Sequence, residues 1–468
     1  MRVVLIRPPV SGPKGFPVVP DLGLLYLARA MHNAALPVDV RDGWLERDSQ
    51  RAMGLDLIGD GPVIVGFKLF SLGIKSVRAA AAEIKRRNPR ARIVVGGAHP
   101  SGVLAELWDD VPETDFGMAG EGELGLPLLA RALELDDSTA ALAEVPGLIW
   151  RAPEGPRMNA CAFVDDLDAL DQPLWDAVPV RGYLARPTPI RKAPHLPVLT
   201  SRGCPFDCMY CAGRRITGRK MRFRSAEKVV DEMERLHRDF DVRVFAVTDD
   251  NFSLNRRHVE RFCAALDARR LPVRWDCLAT GLRLDSLDED LLRRMERAGC
   301  FAASVAVESG SPRILAHMQK NSDLAVMAEK MRLIRRVTRM RINSYYILGY
   351  PEERRADLEA TARFARRSPA HHAQFFLFTP LPGAPITEQL RRENRLPGGG
   401  WETFRYDRPS LPLADVRIDA LKRWQIWATV SFYFGRPWRL LSLARDISSP
   451  AVLRDFVNRI GSLLRKPD

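Results

Sequence analysis

The sequence lacks any apolar run long enough to cross a membrane. No stretch of about 18 uninterrupted apolar residues occurs among the 468 residues, so no membrane-spanning helix is expected. The N-terminal text MRVVLIRPPV contains two prolines and lacks the long apolar region and cleavage site of a signal peptide, so it is predicted to start with a strand. Internal repeats and low-complexity tracts are also absent. Hydrophobic residues make up 46% and charged residues 28%, which indicates a globular chain of about two to four domains.

Cysteine is scarce, and its number is odd. Of seven cysteines, Cys161, Cys263, Cys277 and Cys300 are scattered and the other three are clustered. In a long chain without a secretion signal, this pattern argues against a disulfide framework. It favours a reducing, cytoplasmic location and a single metal site.

The chain is strongly basic. Its formal net charge is +13 and its pI is about 9.7, largely because of arginine. Such a charge suits nucleic acid or an anionic membrane surface. However, basic and acidic residues are interleaved along helical stretches such as Glu227 to Arg243, which is typical of solvated helix faces and argues against a nucleic-acid partner.

The three clustered cysteines lie in one short loop, Ser201 to Gly213, with the text SRGCPFDCMYCAG. Cys204, Cys208 and Cys211 form a C-x-x-x-C-x-x-C array, and three thiolates on one loop can ligate one face of an iron–sulfur cube. A [4Fe–4S] cluster has four irons, so one iron would lack a protein ligand and could bind a substrate or cofactor. Tyr210, just before the third cysteine, offers an aromatic surface for an adenine-sized ring.

Two other interpretations of this loop stay open. A zinc site would need a fourth ligand, which His195 could supply, although zinc sites usually contain two C-x-x-C-type pairs. Buried, inert cysteines are disfavoured because Gly203, Pro205 and Asp207 are typical of an exposed turn.

At these residues the chain resembles the radical S-adenosylmethionine (SAM) superfamily, whose motif has this spacing and an aromatic residue before the third cysteine. The resemblance implies that the open iron chelates the amino and carboxylate groups of SAM. Reduction of the cluster would then cleave SAM to a 5′-deoxyadenosyl radical. An external electron donor such as flavodoxin or ferredoxin is therefore implied as a partner.

The first part of the chain alternates strands and helices. Apolar runs predict five strands, at Val3–Ile6, Val38–Val40, Val63–Phe67, Ile93–Val95 and Asp115–Met118. Helical spacing occurs at Leu22–Asn33 and Ile74–Arg87. The alternation predicts a Rossmann-like, doubly wound parallel sheet. Ligands bind at the carboxyl ends of such strands, where glycines are expected to let a ligand approach the backbone closely.

Three segments of this part have sequences that resemble the cobalamin-binding domain of B12-dependent radical SAM enzymes: PDLGLLYL, VVGGAHPS and GEGE. The resemblance implies cobalamin contacts from the following residues: Gly66, Ser71, Gly96, Gly97, Ala98, His99, Glu121 and Gly122. The D-x-H-x-x-G motif that supplies histidine to cobalt is absent, and His99 has the wrong spacing for that role, so a non-histidine lower face or none is expected. A domain that keeps this fold without the cofactor is the alternative.

The second part predicts six more parallel strands, at Val198–Thr200, Val244–Val247, Arg274–Ala279, Ala302–Val307, Ile342–Leu348 and Phe375–Phe378. Together with intervening helices they predict a partial (β/α)₆ TIM-like barrel, in which the chemistry lies at the carboxyl ends of the strands. Those ends carry VTDDNF, VESGSPRIL and YYILGYPEE, which resemble strand motifs of the radical SAM family.

The resemblance implies SAM contacts from the following residues: Tyr210, Asp249, Asp250, Asn251, Glu308, Ser309, Ile347 and Gly349. The carboxylate and amide groups at 249–251 could hold the ammonium of SAM, and Glu308 could accept hydrogen bonds from its ribose or amino group. Main-chain groups at 347–349 could frame the adenine. For each residue the alternative is a helix cap or a satisfied loop side chain.

The predicted organisation is therefore a cobalamin-binding domain at 1–143, a linker at 144–192, a radical SAM barrel at 193–400 and a helical region at 401–468. Within the last region, Leu421 to Trp438 is rich in aromatic and basic residues. Helices packed on the barrel are expected there, and a basic amphipathic helix on a membrane surface is the alternative.

The resemblance implies a cobalamin-dependent radical SAM enzyme, with a [4Fe–4S] cluster, SAM and cobalamin as cofactors and a small molecule as substrate. Methyl transfer to an unactivated carbon is the expected reaction. An oxidative cyclase or another non-methylating enzyme is the first alternative. A tRNA methylthiotransferase and a non-enzymatic B12-binding or electron-carrying protein are the others.

Overall fold

Two largely parallel β-sheets follow one another along the chain. The structure, a computed structural model, describes residues 1–9, 18–135, 139–184, 195–278, 282–396, 398–406, 408–412 and 415–446. Ala279, the last residue of the predicted strand Arg274–Ala279, and everything after residue 446 lie outside these ranges.

The first sheet has seven strands in the spatial order β2-β1-β3-β4-β5-β6-β7. Their bounds are β1 (Arg2–Arg7), β2 (Val38–Asp42), β3 (Val63–Lys68), β4 (Arg92–Gly96), β5 (Phe116–Met118), β6 (Leu148–Ala152) and β7 (Gly155–Met158). Strands β1 to β5 pair in parallel, which confirms the five predicted strands. The antiparallel hairpin β6–β7 extends the same sheet, although its residues were predicted to be linker.

Helices cover both faces of this sheet, as a doubly wound fold requires. Their bounds are α1 (Leu22–Asn33), α2 (Ser49–Ala52), α3 (Ile74–Arg87), α4 (Ala98–Val103), α5 (Leu107–Asp110), α6 (Gly125–Leu135), α7 (Thr139–Ala143) and α8 (Val180–Leu184). Successive side chains of a strand point to opposite faces, so Val3 and Leu5 pack with α1 and α6 while Val4 and Ile6 pack with α3.

The second sheet has six strands, all paired in parallel, in the spatial order β15-β14-β13-β12-β11-β8. The strands of this part of the chain are β8 (Leu196–Val198), β9 (Ser201–Arg202), β10 (Arg222–Phe223), β11 (Val244–Val247), β12 (Arg274–Cys277), β13 (Cys300–Glu308), β14 (Arg341–Leu348) and β15 (His372–Leu377). The first and last strands of the sheet do not pair, which agrees with a partial barrel. Strands β9 and β10 form a separate antiparallel pair that brackets the cysteine loop.

The helices of the second part are α9 (Gly213–Ile216), α10 (Ala226–Phe240), α11 (Arg256–Arg269), α12 (Glu289–Arg297), α13 (Pro312–His317), α14 (Leu324–Val337), α15 (Arg355–Arg367), α16 (Pro385–Arg392), α17 (Ile418–Phe434) and α18 (Pro437–Asp446). The apolar face of α10, with Val229, Val230 and Met233, lies in the same core as Phe245 of β11. Burial of such a stripe is what holds an amphipathic helix on a sheet.

The described part of the C-terminal region is helical, as predicted, but the stretch from Leu421 to Trp438 is divided between α17 and α18. Leu421 and Phe432 pack α17 into the barrel core. Arg439 fixes α18 because its buried guanidinium donates hydrogen bonds to the Ala365, Arg366 and Ser368 carbonyls at the end of α15. None of the described helices combines the length and apolarity needed to cross a membrane.

Candidate active site

The cysteine loop is held in place by backbone hydrogen bonds on both sides. Gly203 has a φ of 94°, and a Cβ there would lie 2.3 Å from the Lys220 carbonyl oxygen, so this entry to the loop requires glycine. The Cys204 amide donates to the Gly218 carbonyl at 3.1 Å, and the Met209 amide donates to the Met318 carbonyl at 3.0 Å. The loop is therefore tied both to the β9–β10 hairpin and to the segment after α13.

The three thiols are free, and burial raises the pKa of Cys211, with the neighbouring Cys208 and Cys204 adding to that shift. Burial raises the pKa of the Cys208 thiol, while the Lys320 ammonium opposes that shift. The Gly213 amide donates to Cys211 Sγ at 3.3 Å, and Asn251 Nδ2 lies 4.0 Å from Cys204 Sγ. Thiolates with such donors suit an iron–sulfur cluster.

No three or more His, Cys, Asp or Glu side chains in the described ranges are arranged to hold one metal ion. Cluster ligation makes a different demand, because each cysteine binds a different iron and the sulfurs need not converge on one point. The donor set at the loop therefore fits the expected cluster.

Tyr210 and Glu308 meet across the cysteine loop and the end of β13. The Tyr210 hydroxyl donates to Glu308 Oε1 at 2.9 Å, and Lys320 Nζ lies 3.7 Å from the same oxygen. Burial and the Glu308 charge raise the pKa of Tyr210 well above its usual value. Glu308 has a φ of 67°, which is in the left-handed region. Residues other than glycine rarely adopt this backbone conformation, and it often marks a functional position.

Residues 249–251, which follow β11 and Thr248, have different roles. Asp249 is buried, and its carboxylate accepts hydrogen bonds from the Thr200 amide at 2.7 Å and the Ser201 hydroxyl at 2.7 Å. Burial raises its pKa to about 6. The expectation that its side chain faces SAM is therefore corrected: Asp249 fixes the entry of the cysteine loop.

The neighbours of Asp249 lie nearer the loop itself. Asp250 Oδ2 accepts from the Gly203 amide at 3.1 Å and the Thr217 hydroxyl at 2.6 Å. Asn251, by contrast, directs its amide toward Cys204. Of the three, Asn251 is the one placed beside a predicted cluster ligand.

At the next two strand ends, polar groups have partners within the protein. Ser309 is buried, and its hydroxyl lies 3.2 Å from the Thr361 hydroxyl, so its side chain serves the fold. Ile347 packs beside Tyr210 in one apolar cluster. Gly349 has a φ of 81°, and its amide donates to Glu353 Oε2 at 2.6 Å.

At the first sheet, the predicted cobalamin residues lie in several environments. Gly66 is inside β3, within the predicted strand Val63–Phe67, and a Cβ there would be 3.0 Å from Leu5, so Gly66 serves strand packing. Gly96 ends β4, and Gly97, with a φ of 100°, and Ala98 lead into α4. The backbone at 96–98 is thus at the carboxyl edge, as predicted.

His99 is buried and both of its ring nitrogens have partners. Nδ1 lies 3.0 Å from the Ser71 hydroxyl, and Nε2 lies 2.9 Å from Asp110 Oδ2. If Nε2 carries the proton, it donates to the Asp110 carboxylate. Nδ1 then accepts a hydrogen bond from the Ser71 hydroxyl, and the Ser71 oxygen can still accept a hydrogen bond from another group. His99 therefore positions Ser71 in this arrangement, and its ring is not directed at a cofactor.

Glu121 also has partners within the protein, contrary to the expectation that it contacts cobalamin. Its two carboxylate oxygens each accept a 2.7 Å hydrogen bond from a terminal nitrogen of Arg222. Arg202 Nη1 lies 3.4 Å from Glu121 Oε1. Glu123 pairs with Arg202 at 2.8 Å. All four side chains are buried or nearly so, and they join the first domain to the β9–β10 hairpin. At Gly122 a Cβ would lie 2.9 Å from a terminal methyl of Leu27, so this glycine packs closely against α1.

Sequence reasoning missed Arg202 and Arg222, and it also missed Lys320 beside Glu308. A usable signal was the alternation of Arg222 with Arg224 in a short extended segment, which places both on one face. Arg224 pairs with the buried Glu232 at 2.6 Å, so both arginines serve buried carboxylates.

The two sheets bring their ligand-binding edges together. Helix α4, which follows β4, packs against α9, which directly follows the third cysteine. The contact is close: a Cβ at Gly102 would lie 2.4 Å from the backbone of Pro382, after β15. Arg391 adds an ion pair with Glu106 at 2.7 Å. The predicted cobalamin edge and the cysteine loop therefore face a common region.

Comparison with known proteins gives the same order of parts. The Radical SAM superfamily profile matches residues 198–365, and the B12 binding domain profile matches residues 16–130. An uncharacterized methyltransferase of Pyrococcus horikoshii is 27% identical over 444 residues, covering 92% of each chain. The anaerobic magnesium-protoporphyrin IX monomethyl ester cyclase of Cereibacter sphaeroides is 29% identical over 75% of this chain and 57% of its own length.

The solved structure of the radical SAM methyltransferase TsrM from Kitasatospora setae, with cobalamin and a [4Fe–4S] cluster bound, shares the fold. Its TM-score is 0.69 at 20% identity, covering 84% of this chain and 78% of that one.

A B12-binding domain followed by a radical SAM domain defines a class of enzymes that use cobalamin, a [4Fe–4S] cluster and SAM. This chain belongs to that class, the B12-dependent radical SAM enzymes.

Proposed function

We propose that the protein transfers a methyl group from SAM to an unactivated carbon of a small molecule. The observation that carries the proposal is the packing of α4 against α9, which directs the B12 edge and the cysteine loop at one region. Methyl transfer to such a carbon needs both cofactors beside one substrate, because the carbon is not nucleophilic and polar transfer from SAM fails. The P. horikoshii protein that matches along nearly the whole chain is named a methyltransferase, which supports methyl transfer.

Different residues would hold the cluster and the cobalamin. Cys204, Cys208 and Cys211 would hold the cluster, and the backbone at 96–98 together with Ser71 would contact cobalamin. When bound, the cluster and SAM supply a hydrogen-abstracting radical, and cobalamin carries the methyl group that the substrate receives.

Glu308 and Asn251 are the polar side chains best placed for SAM. Glu308 is an acceptor at the barrel rim, beside the tyrosine that precedes the third cysteine. Asn251 lies beside Cys204 and offers both a donor and an acceptor. Ile347 and the Gly349 backbone complete the rim on the side of Tyr210.

The direct test uses anaerobically reconstituted protein with cobalamin, dithionite and SAM deuterated in its methyl group. A methyltransferase is expected to move the deuterated methyl to cobalamin and to release S-adenosylhomocysteine, even before the substrate is known. Mass spectrometry of the extracted cobalamin reads this out. Formation of 5′-deoxyadenosine with unlabelled cobalamin would contradict methyl transfer.

The second candidate is a non-methylating oxidative cyclase. The Cereibacter sphaeroides cyclase favours it, although this chain spans little more than half of that protein. The same labelling experiment separates the two, because a cyclase needs no methyl transfer to cobalamin.

We also propose a cytoplasmic location and an external electron donor such as flavodoxin or ferredoxin. The seven cysteines are free, which suits a reducing compartment. The described part of 401–468 is helical, which supports a small-molecule enzyme over a tRNA methylthiotransferase with its C-terminal β-barrel.

A further inference from the structure

A basic cavity of about 370 Å³ opens where α18 meets the barrel. Its lining includes Arg335 and Arg339 near the end of α14, His371 just before β15, and Trp438, Leu441 and Arg445 of α18. It lies at the amino ends of β14 and β15. The cysteine loop comes after β8, at the opposite, carboxyl edge of the six-stranded sheet, so this cavity is separate from the active site.

Within the described part of the chain, the arginines of the cavity have no carboxylate partner. No described carboxylate lies within 4.0 Å of the guanidinium groups of Arg335, Arg339 or Arg445. Some other surface arginines do have such partners: Arg269, for example, pairs with both Asp231 and Glu234.

Arg335 is pre-positioned in this cavity. Its Nη1 lies 2.9 Å from His371 Nε2, and its guanidinium carbon lies 4.4 Å from the centroid of the Trp438 ring. Burial and the nearby Arg436 lower its pKa, as unbalanced positive charge does. An anion with several oxygen acceptors would relieve this repulsion, and phosphate matches arginine best.

An exposed apolar stripe lies on the neighbouring helix. Trp427, Val430 and Phe434 recur at helical spacing on one face of α17, and they are 48%, 49% and 71% exposed. Arg423 continues the same face. On α18, Leu441 is 63% exposed and lines the cavity, so an exposed apolar side chain lies beside the arginines.

We propose that α17 and α18 form a docking surface for an anionic lipid bilayer, with a lipid phosphate in the arginine cavity. Apolar side chains enter the interface while the arginines bind headgroups, as in interfacial helices. A free phosphate would satisfy the arginines but would leave the exposed stripe without a role. The observations therefore favour the lipid source.

The test is flotation of the full-length protein with phosphatidylcholine vesicles, with or without phosphatidylglycerol. We expect binding to the anionic vesicles alone. Arg339→Glu/Arg445→Glu should weaken binding at least about tenfold, since each basic residue near such a surface contributes about 1 kcal/mol. Neither side chain has a described hydrogen bond or ion pair, so the fold should be kept, and circular dichroism checks this.

Two further variants separate specific docking from general attraction to a basic chain. Arg47→Glu/Arg90→Glu makes the same charge change at exposed positions of the first domain and should bind as the wild type does. Trp427→Ser/Phe434→Ser keeps the charge and should weaken the binding that persists at high salt. Equal flotation of all four proteins would overturn the proposal.

A thermal-shift measurement with inorganic phosphate distinguishes a free phosphate ligand from a lipid phosphate. If phosphate raises the melting temperature of the wild type but not of Arg339→Glu/Arg445→Glu, while no protein floats with vesicles, the lipid assignment is overturned in favour of a free phosphate ligand. These readouts do not use cofactor chemistry, so their outcome is independent of the proposed methyl transfer.

Discussion

The Tyr210 hydroxyl donates a 2.9 Å hydrogen bond to Glu308, which joins the residue before the last loop cysteine to the end of β13. The two residues are 98 positions apart in the chain. Glu308 adopts a left-handed backbone conformation at this point, and the contact fixes the orientation of its carboxylate. One side chain thus connects the loop expected to hold the cluster to the barrel rim expected to hold SAM.

Replacement of Glu308 tests this connection. Glu308→Gln keeps an oxygen that can accept from Tyr210 but removes the charge, so we expect the iron content to be unchanged. SAM affinity should fall at least tenfold, because hydrogen bonds to charged groups contribute about 1.5–3 kcal/mol. Equilibrium dialysis of reconstituted protein with labelled SAM measures this. Glu352→Gln, which removes an exposed partner of Arg395, is the matched control and should bind SAM normally.

Replacement of a loop cysteine tests the cluster ligands. Cys208→Ala should lose most of the bound iron and all 5′-deoxyadenosine formation, because a cluster with two protein ligands is weakly held. Cobalamin binding should persist, since the first domain does not depend on the loop for its core. Cys161→Ala, at a half-buried cysteine outside the loop, should retain both iron and activity. Full iron content in the Cys208 variant would contradict the assignment.

Disrupting the ion pair between Arg222 and Glu121 tests whether it holds the first domain to the β9–β10 hairpin. Arg222→Met leaves the buried Glu121 carboxylate without its bidentate partner, and breaking a buried pair in this way costs about 3–5 kcal/mol. Urea unfolding should show the loss, and adding Glu121→Gln should recover much of it. A cost below about 1 kcal/mol would mean that the pair does not hold the domains together.

Glu353 makes stability depend on pH. Burial raises its pKa to about 8, although the Gly349 and Tyr350 amides that donate to it oppose the shift. The folded state therefore binds this proton more tightly than the unfolded state, in which the pKa is near 4.5. Its contribution is complete below the unfolded value and is lost as the pH rises from there through about 8.

Glu353→Gln should accordingly lessen the decline in urea midpoint between pH 5 and pH 8, because the amide keeps the acceptor oxygen and cannot ionise. Glu359→Gln, on the exposed side of α15, is the control and should follow the wild-type curve. An unchanged slope in the Glu353 variant would show that this carboxyl group is not the source of the dependence.

The strands and the cysteine loop could be predicted because their signals are local. The spacing of Cys204, Cys208 and Cys211 is complete within eight residues, and buried parallel strands appear as apolar runs. The direction of a loop carboxylate has no local sequence signal, because it depends on partners that are distant in the chain. Asp249 turns to Thr200, 49 positions away, and Glu121 turns to Arg222, 101 positions away. No periodicity marks such partners, so these side chains were expected to face ligands.

The same limit applies to His99, whose buried ring lies between Ser71 and Asp110. Its place after a glycine pair at a strand end suggested a ligand contact, but its burial depends on how α4, α5 and the segment after β3 pack together. The backbone around it was placed correctly, because that depends only on where β4 ends.

Electron paramagnetic resonance of the anaerobically reconstituted, dithionite-reduced protein tests the central claim most directly. With SAM labelled with ¹⁷O in its carboxylate, the spectrum of the reduced cluster should change on addition of SAM and show hyperfine coupling to the label. That result would place SAM on the iron that Cys204, Cys208 and Cys211 leave open. A protein that binds zinc instead of iron, or a cluster signal that is unaffected by SAM, would contradict the account.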